Sequence, residues 1–422
     1  MSRKLLRSRP PFPRVNSSTS VTFHPISFRS EEEEYVIWVS GRHAFLAIPS
    51  IGKEVIDLLR SGKTIAQTET AVEKKYRTSF DVADFVKTLV REGFIKQIDN
   101  YTVLSSTQPI DRFRFFKPQQ VSWLFGRASF FVVSFFIAIT LLLLLLHPLL
   151  IPSRDDFFWT RSTTIIILSN VCLHFLFVFS HELAHLFAAR ALGVGGSMRF
   201  STRLTSLVLQ TDVTGIWAES RRNRMIVYVS GIVWNLMLIA VAVWLVFLIN
   251  EDTLFVKLLK VSILLNGLSI LSEFHLYMRT DIYFVLMDLL RCRNLFHDSL
   301  SYANYQLQVL IGIVKKRKEK PRNPIERFPV RERRSVAFYG VFAVVGSLVS
   351  LGIFVFYSVP IAMRLYVMAA SSIISGLQEQ QFLRFVDGVT TLLVEVLFIG
   401  LYFYAFVKNH PQMLAWIFKR DR

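Results

Sequence analysis

Cysteine is scarce in this sequence. Its 422 residues include only two, Cys172 and Cys292. Two thiols exclude the dense disulfide framework of a small secreted protein. The short apolar stretch of a signal peptide is also lacking, because the first apolar run begins near residue 129 and is too long to be one. We therefore expect no signal peptide.

Acidic residues are few relative to basic ones. The chain has 31 Asp and Glu against 49 Lys and Arg, which gives a net charge of +18. The basic residues gather beside apolar runs, in two groups: Arg199, Arg203, Arg221, Arg222 and Arg224, and then Lys315–Lys318, Lys320, Arg322, Arg327, Arg331, Arg333 and Arg334. The positive-inside rule places such loops in the cytoplasm, where the anionic leaflet of the lipid bilayer is their partner. This distribution favours a membrane over a nucleic acid.

Long apolar runs account for the rest of the composition. Four contain no Lys, Arg, Asp or Glu, and two are weaker: Ser129–Ile151, Thr163–Ser180, Met225–Ile249 and Val336–Ile361, then Phe255–Leu271 and Thr390–Val407. A helix needs roughly 20 residues to cross a hydrocarbon core, and it satisfies its own backbone there. The sequence predicts a polytopic α-helical protein of the cell membrane, with about six spans and both termini cytoplasmic.

Changes in composition divide the chain into six segments. The first residues are rich in Arg, Pro and Ser, a composition typical of a flexible arm. We expect a basic arm (1–25), a folded domain (26–105), a linker (106–128), a membrane core (129–295), a basic cytoplasmic loop (296–335) and C-terminal transmembrane helices with a tail (336–422).

Residues 26–105 carry signals of short strands and helices. Thr64 and Gln67 match a capping box. Ser50 can cap the first of three predicted helices, and Gly93 can end the third. The pattern predicts two hairpins around three helices: Tyr35–Val39 with His43–Ile48, then Ser50–Arg60, Ile65–Tyr76 and Asp81–Glu92, then Phe94–Ile98 with Tyr101–Leu104. This order is that of an α+β winged-helix domain.

Winged helices most often bind DNA, but this one lacks the charge for it. The third helix begins Phe80-Asp81-Val82-Ala83-Asp84-Phe85-Val86-Lys87, with a single lysine. Neutralising phosphates requires clustered Lys and Arg, so a membrane-tethered transcription factor is not expected.

The same segment resembles the PqqD-type peptide-recognition domain of modified-peptide pathways. The resemblance runs through "IWVSGRHAFLAIPSIGKEVIDLL", "KTIAQTETAVEKKY" and "DVADFVKTLVREGFI". It implies that the domain binds the leader segment of a precursor peptide as an added strand against its first sheet.

The most specific motif is His181-Glu182-Leu183-Ala184-His185, the HELAH motif. Residues four apart share one helical face, so both imidazoles can reach one Zn²⁺, while Glu182 points aside and can serve as a base. Ionisable groups are costly at membrane depth and are functional there by default. Asn170 and His174 fall on the same face. His174 can line a substrate or water path, or can be a structural histidine bonded to a neighbouring helix.

A catalytic zinc site usually has three protein ligands and one open position. Four residues at comparable depth could supply the third ligand: Glu273, His275, Asp281 and Asp288. The residues alone leave this choice open.

"FSHELAHLFAARALGV" followed by "RTDIYFVLMDLL" resembles the site-2 protease family of intramembrane metalloproteases, in the branch that accompanies peptide maturation. The resemblance implies Asp281 as third ligand, although Ile282 stands where the family has glycine. Asp288 is the alternative ligand, or a carboxylate that supports a ligand or caps a helix. Gly231 and Asn235 resemble the family's glycine–asparagine motif, or serve plain helix packing. The resemblance also implies that Ser197–Trp217 forms a hairpin whose edge can hold an extended substrate.

Two functions follow from these resemblances. The first is a zinc metalloprotease that trims a modified precursor peptide at the cytoplasmic side, with Glu182 as base. The alternative is a non-catalytic membrane binder or export accessory that keeps zinc for structure. A peptide exporter or a maturation enzyme would be a further partner in either case.

Overall fold

Two compact units make up the chain in the computed structural model. One comprises Met1–Arg112 with Thr214–Ser220, and the other comprises Phe113–Val213 with Arg221–Arg422. The structure describes residues 15–31, 34–39, 44–99, 101–103, 111, 113–203, 206–275, 278–292, 294–314 and 323–409. Several predicted features lie outside the described residues, among them His43, Leu104 and the basic run 315–320.

The first unit contains two small antiparallel sheets. One has the strand order β2-β3-β4 and the other β1-β5-β6. The strands are β1 Val21–Phe23, β2 Ile26–Glu31, β3 Glu34–Val39, β4 Phe45–Pro49, β5 Ile95–Ile98 and β6 Tyr101–Thr102. Both predicted hairpins are therefore present, but β1 and β2 extend each of them to three strands.

Three helices follow β4 as predicted: α1 Ser50–Arg60, α2 Ile65–Tyr76 and α3 Val82–Arg91. The Thr64–Gln67 capping box is confirmed, and Gly93 takes a φ of 80° after α3. The predicted Ser50 cap is wrong, because Pro49 occupies the N-cap without a side-chain hydrogen bond. Buried aliphatic residues of the helices and sheets form one core.

The boundaries of this unit differ from the predicted ones. The predicted flexible arm contains the ordered strand β1. Thr214–Ser220, predicted within the membrane core, belongs to the first unit. There the Arg29 side chain of β2 donates to the backbone carbonyls of Ala218 and Glu219. This segment contacts β3, whose Val36 is only 1% exposed.

The second unit is built almost entirely from helices. They are α4 Pro118–Val121, α5 Arg127–Leu146, α6 Thr163–Ala191, α7 Arg221–Ile249, α8 Leu254–Ser272, α9 Asp281–Leu289, α10 Leu295–Val314, α11 Val330–Ile353, α12 Val359–Gln378 and α13 Phe382–Asn409. Between α6 and α7 lies the predicted hairpin, β7 Ser197–Arg203 paired with β8 Ser206–Asp212. Helix α7 packs against both α6 and α8, and α12 packs against α13.

Within the described residues, six helical stretches are long and apolar enough to cross a membrane: Arg127–Leu146, Thr163–Ala191, Arg221–Ile249, Leu254–Ser272, Glu332–Gln378 and Phe382–Lys408. Two predicted loops differ from the structure. Helix α10 occupies much of the segment 296–335, and α12 with the start of α13 occupies the stretch between the predicted runs Val336–Ile361 and Thr390–Val407. Amphipathic or partly polar helices lack the uniform apolar run on which the prediction relied.

Helix α13 contacts the first turn of α6 through the side chain of Asp387. Asp387 of α13 accepts hydrogen bonds from the backbone N–H groups of Thr163 and Thr164, at 2.9 and 3.1 Å. It also accepts one from the Ser162 hydroxyl. These first N–H groups have no partner inside the helix, so α13 caps the helix that carries the HELAH motif.

Candidate metal centre

Helix α6 places the two motif histidines on one buried face. His181 and His185 are 5% and 6% exposed, and their Nε2 atoms lie 3.0 Å apart. His185 Nδ1 donates to the backbone carbonyl of Val227 in α7, at 2.7 Å. This bond leaves the Nε2 lone pair of His185 available, as metal-binding histidines require.

Asp281 joins the histidines from a distant part of the chain. It is the first residue of α9, and its Oδ2 lies 2.7 Å from His185 Nε2 and 3.1 Å from His181 Nε2. Three ligands of tetrahedral Zn²⁺ lie about 3.3 Å from one another, so small outward shifts would admit the ion. His181, His185 and Asp281 thus form a group that could hold a metal.

Gly231 of α7 faces both imidazoles. A Cβ built on it would lie 2.4 Å from His181 Nε2 and 2.5 Å from His185 Nε2. These distances are far shorter than any van der Waals contact, so any larger residue would displace the rings. The small residue at Gly231 therefore leaves room for the candidate ligands themselves.

Glu182 lies beside the centre and is held by the hairpin. Its Oε2 accepts a hydrogen bond from the Thr211 N–H of β8 at 2.7 Å. The Thr211 hydroxyl donates to the Glu182 backbone carbonyl at 3.1 Å. The carboxylate is thus oriented by a backbone donor.

Glu273, one of the four predicted candidates, supports Asp281 instead of joining the histidines. Its Oε2 accepts the Asp281 N–H at 2.9 Å. Burial, with the nearby Asp281 charge, raises the pKa of Glu273 to about 7. Burial alone would raise the pKa of Asp281, but the adjacent histidines outweigh it and lower that pKa below its usual range. His275, another of the four candidates, does not belong to the metal group found among the described residues.

Asp288 has a different partner. Its Oδ2 and Oδ1 accept from Arg224 Nε and Nη2 at 2.8 and 2.7 Å. The side chains are 1% and 7% exposed for Arg224 and Asp288. Both oxygens of Asp288 are thus engaged by the guanidinium, and the carboxylate that lies with the two histidines is that of Asp281.

The remaining predicted residues do not form one continuous stripe. Asn170 is buried, and its amide donates to the Phe157 carbonyl at 3.1 Å. His174 is exposed, although it lies on the face of His181. Asn235 is fully buried and donates to Ser269 Oγ of α8 at 3.3 Å. Its Oδ1 has no hydrogen-bond partner among the described residues.

A second group of candidate ligand atoms comprises Cys292, Asp298 and Glu332. Burial, with the nearby Glu332 charge, raises the pKa of the Cys292 thiol to about 12. The thiol is therefore protonated, and it donates to Glu332 Oε2 at 3.5 Å. A hydrogen bond accounts for the contact between Cys292 and Glu332.

Sequence reasoning missed Arg224, Val227 and Thr211. A signal for the first two was present, because Arg224, Val227 and Gly231 are spaced three and four residues apart and share one face of α7. Thr211 gave no comparable signal.

Comparisons with known proteins identify no family for this chain. No protein-family model, no curated protein and no solved structure matches the chain.

Proposed function

We propose that this chain is an integral membrane zinc metalloprotease, similar to site-2 proteases, that cleaves a ribosomally made, modified precursor peptide. The membrane part of the proposal is supported by the six apolar helices and by large exposed apolar side chains along α5, α11 and α13. The basic loops then face the cytoplasm, with both termini. Helix α6 runs inward, so its histidines lie toward the cytoplasmic side.

The convergence of His181, His185 and Asp281 is the observation that carries the proposal. Two imidazoles and a carboxylate suit Zn²⁺, and three ligands leave the open fourth position of a catalytic site. Zn²⁺ bound there would polarise a scissile carbonyl and lower the pKa of a water toward about 7.

Glu182 is the base in this mechanism. It takes a proton from the attacking water and passes it to the leaving amine. The Thr211 N–H holds its Oε2, which fixes the carboxylate beside the metal group. The hydrogen bond from Thr211 of β8 to Glu182 of α6 thus orients the base.

The first unit is proposed to bind the leader of the precursor. Strand β3 is paired on both sides, so an added strand must join at β2 or β4. We favour β4, because Arg29 of β2 already binds the segment Thr214–Ser220. Val39 N–H donates to Ala44 O, and antiparallel pairs alternate, so the backbone groups of Ala47 point to the open edge.

One experiment distinguishes the protease from the alternative, a binder that keeps zinc for structure. Wild type and Glu182→Gln would be incubated in proteoliposomes with a proteome-derived peptide library, and cut sites mapped by mass spectrometry. Cleavage by wild type alone, with equal zinc in both proteins, supports the protease. Identical peptide profiles from the two zinc-loaded proteins would favour the binder.

A further inference from the structure

We infer that the buried Arg224–Asp288 ion pair is a positioning clasp that sets the third metal ligand, Asp281, against the two histidines. This inference rests on the proposed metal site. It assigns a role in metal binding to Arg224, which the sequence presented only as part of a basic loop.

The clasp joins α7 to α9 with fixed geometry. Both guanidinium–carboxylate contacts are short, at 2.8 and 2.7 Å, and the pair is almost fully buried. A two-point fork of this kind restricts rotation as well as distance. The two hydrogen bonds therefore fix the position of Asp288, and with it one point of α9, against α7.

The spacing along the two helices links this point to the metal group. Asp288 follows Asp281 by seven residues, two turns along the same face of α9. Arg224 precedes Gly231 by the same seven residues on α7. Arg224 meets Asp288, whereas Gly231 and Asp281 both meet the histidines. The helices thus run in opposite directions, in a register set at two points of equal spacing.

Helix α9 is held at both ends by these contacts. Glu273 binds the N–H of Asp281 at its start, and Arg224 binds Asp288 near its end. The α7 side is also tied to α6, because Val227 accepts from His185. Loss of the clasp would free the far end of α9 and let the helix pivot about its first residue, which would shift the Asp281 carboxylate relative to the histidines.

Stability alone is a poor reason for this pair. A buried ion pair can often be replaced by apolar residues without loss of stability, whereas removal of one partner leaves an unpaired buried charge. A double apolar variant therefore separates the two roles. It relieves the charge and keeps the packing, but it lacks the fork.

The test compares Asp288→Asn, Arg224→Lys and the double variant Arg224→Leu/Asp288→Leu in the full chain. Zinc affinity is measured by chelator competition, and unfolding temperature is measured on the metal-free proteins. We expect zinc to bind about 10–100-fold more weakly in all three, as when an outer partner of a ligand is lost. We expect the double variant to unfold near the wild-type temperature.

The control is Arg384→Gln, which breaks the exposed pair with Glu379 and should leave zinc affinity unchanged. Wild-type zinc affinity in the double variant or in Arg224→Lys would overturn the clasp while leaving the proposed metal site intact. Failure of the wild-type chain itself to bind zinc would overturn both.

Discussion

The two units differ in whether they bury ionisable side chains beside their apolar ones. The core of the first is aliphatic, with Ile37, Ile56 and Leu89 fully buried. The second exposes many of its large apolar side chains while burying Arg224 and His181. In water the first arrangement follows from apolar burial. In the second unit, burial of ionisable groups cannot follow from apolar burial, which is a reason for the chemical role that we propose for them.

This difference predicts separate responses to substitution. Changes to the polar residues at and around the metal group should alter zinc binding or cleavage by large factors. Changes in the first unit should alter stability or peptide affinity and leave zinc content unchanged.

The largest effect is expected for Glu182→Gln. The amide keeps the volume and can still accept from Thr211 N–H, but it cannot take a proton. Cleavage of a peptide identified from the library should fall by about 10²–10⁴-fold, with zinc content at the wild-type level. Near-wild-type cleavage would remove Glu182 from the proposed mechanism.

The next effect distinguishes the two carboxylates of α9. Asp281→Asn removes the oxygen that meets both histidines and should weaken zinc binding by more than about 100-fold, whereas an outer partner costs about 10–100-fold. Asp288→Asn provides the comparison in the same helix. Zinc affinity measured by chelator competition should fall further for Asp281→Asn, and the reverse order would contradict the assignment of Asp281.

A smaller loss is expected at the glycine of α7. Gly231→Ala adds a methyl group where both imidazole rings lie, and the displaced rings should bind zinc about 10–100-fold more weakly, by analogy with lost outer support. Gly267→Ala in α8 is the matched control, because a Cβ there meets nothing within 4 Å. Equal zinc affinity in the two variants would mean that the glycine serves packing alone.

Local signals in the sequence predicted much of this architecture. The spacing of HELAH fixed His181 and His185 on one face, and the Thr64–Gln67 pair located the start of α2. These features depend on residues within one or two turns. Strand β2 also had a local signal, since Ile26 and Phe28 alternate with Ser27 and Arg29, but the polar residues concealed it.

The third ligand could not be derived locally. Asp281 and Asp288 lie on the same face of one helix, and only the register between α7 and α9 decides which of them reaches the histidines. That register depends on Arg224, which lies 64 residues from Asp288. For the same reason, the contact of Thr211 with Glu182 became visible only in the folded chain.

The smallest effect is expected in the first unit, at the open edge of β4. Ala47→Pro removes an N–H that points away from β3, so the hydrogen bonds between β3 and β4 are kept. A leader strand that pairs there would lose one hydrogen bond, which corresponds to about fivefold weaker binding.

Labelled short peptides encoded beside the gene would serve as precursors, with binding to the full chain measured by fluorescence anisotropy. Ala47→Val keeps the N–H and favours strand geometry, so it should bind as wild type does. Zinc content should be unchanged in both variants, because the substitution lies in the other unit. Equal peptide affinity of Ala47→Pro and Ala47→Val would exclude β4 as the binding edge, and loss of zinc in either would show that the two units do not respond separately.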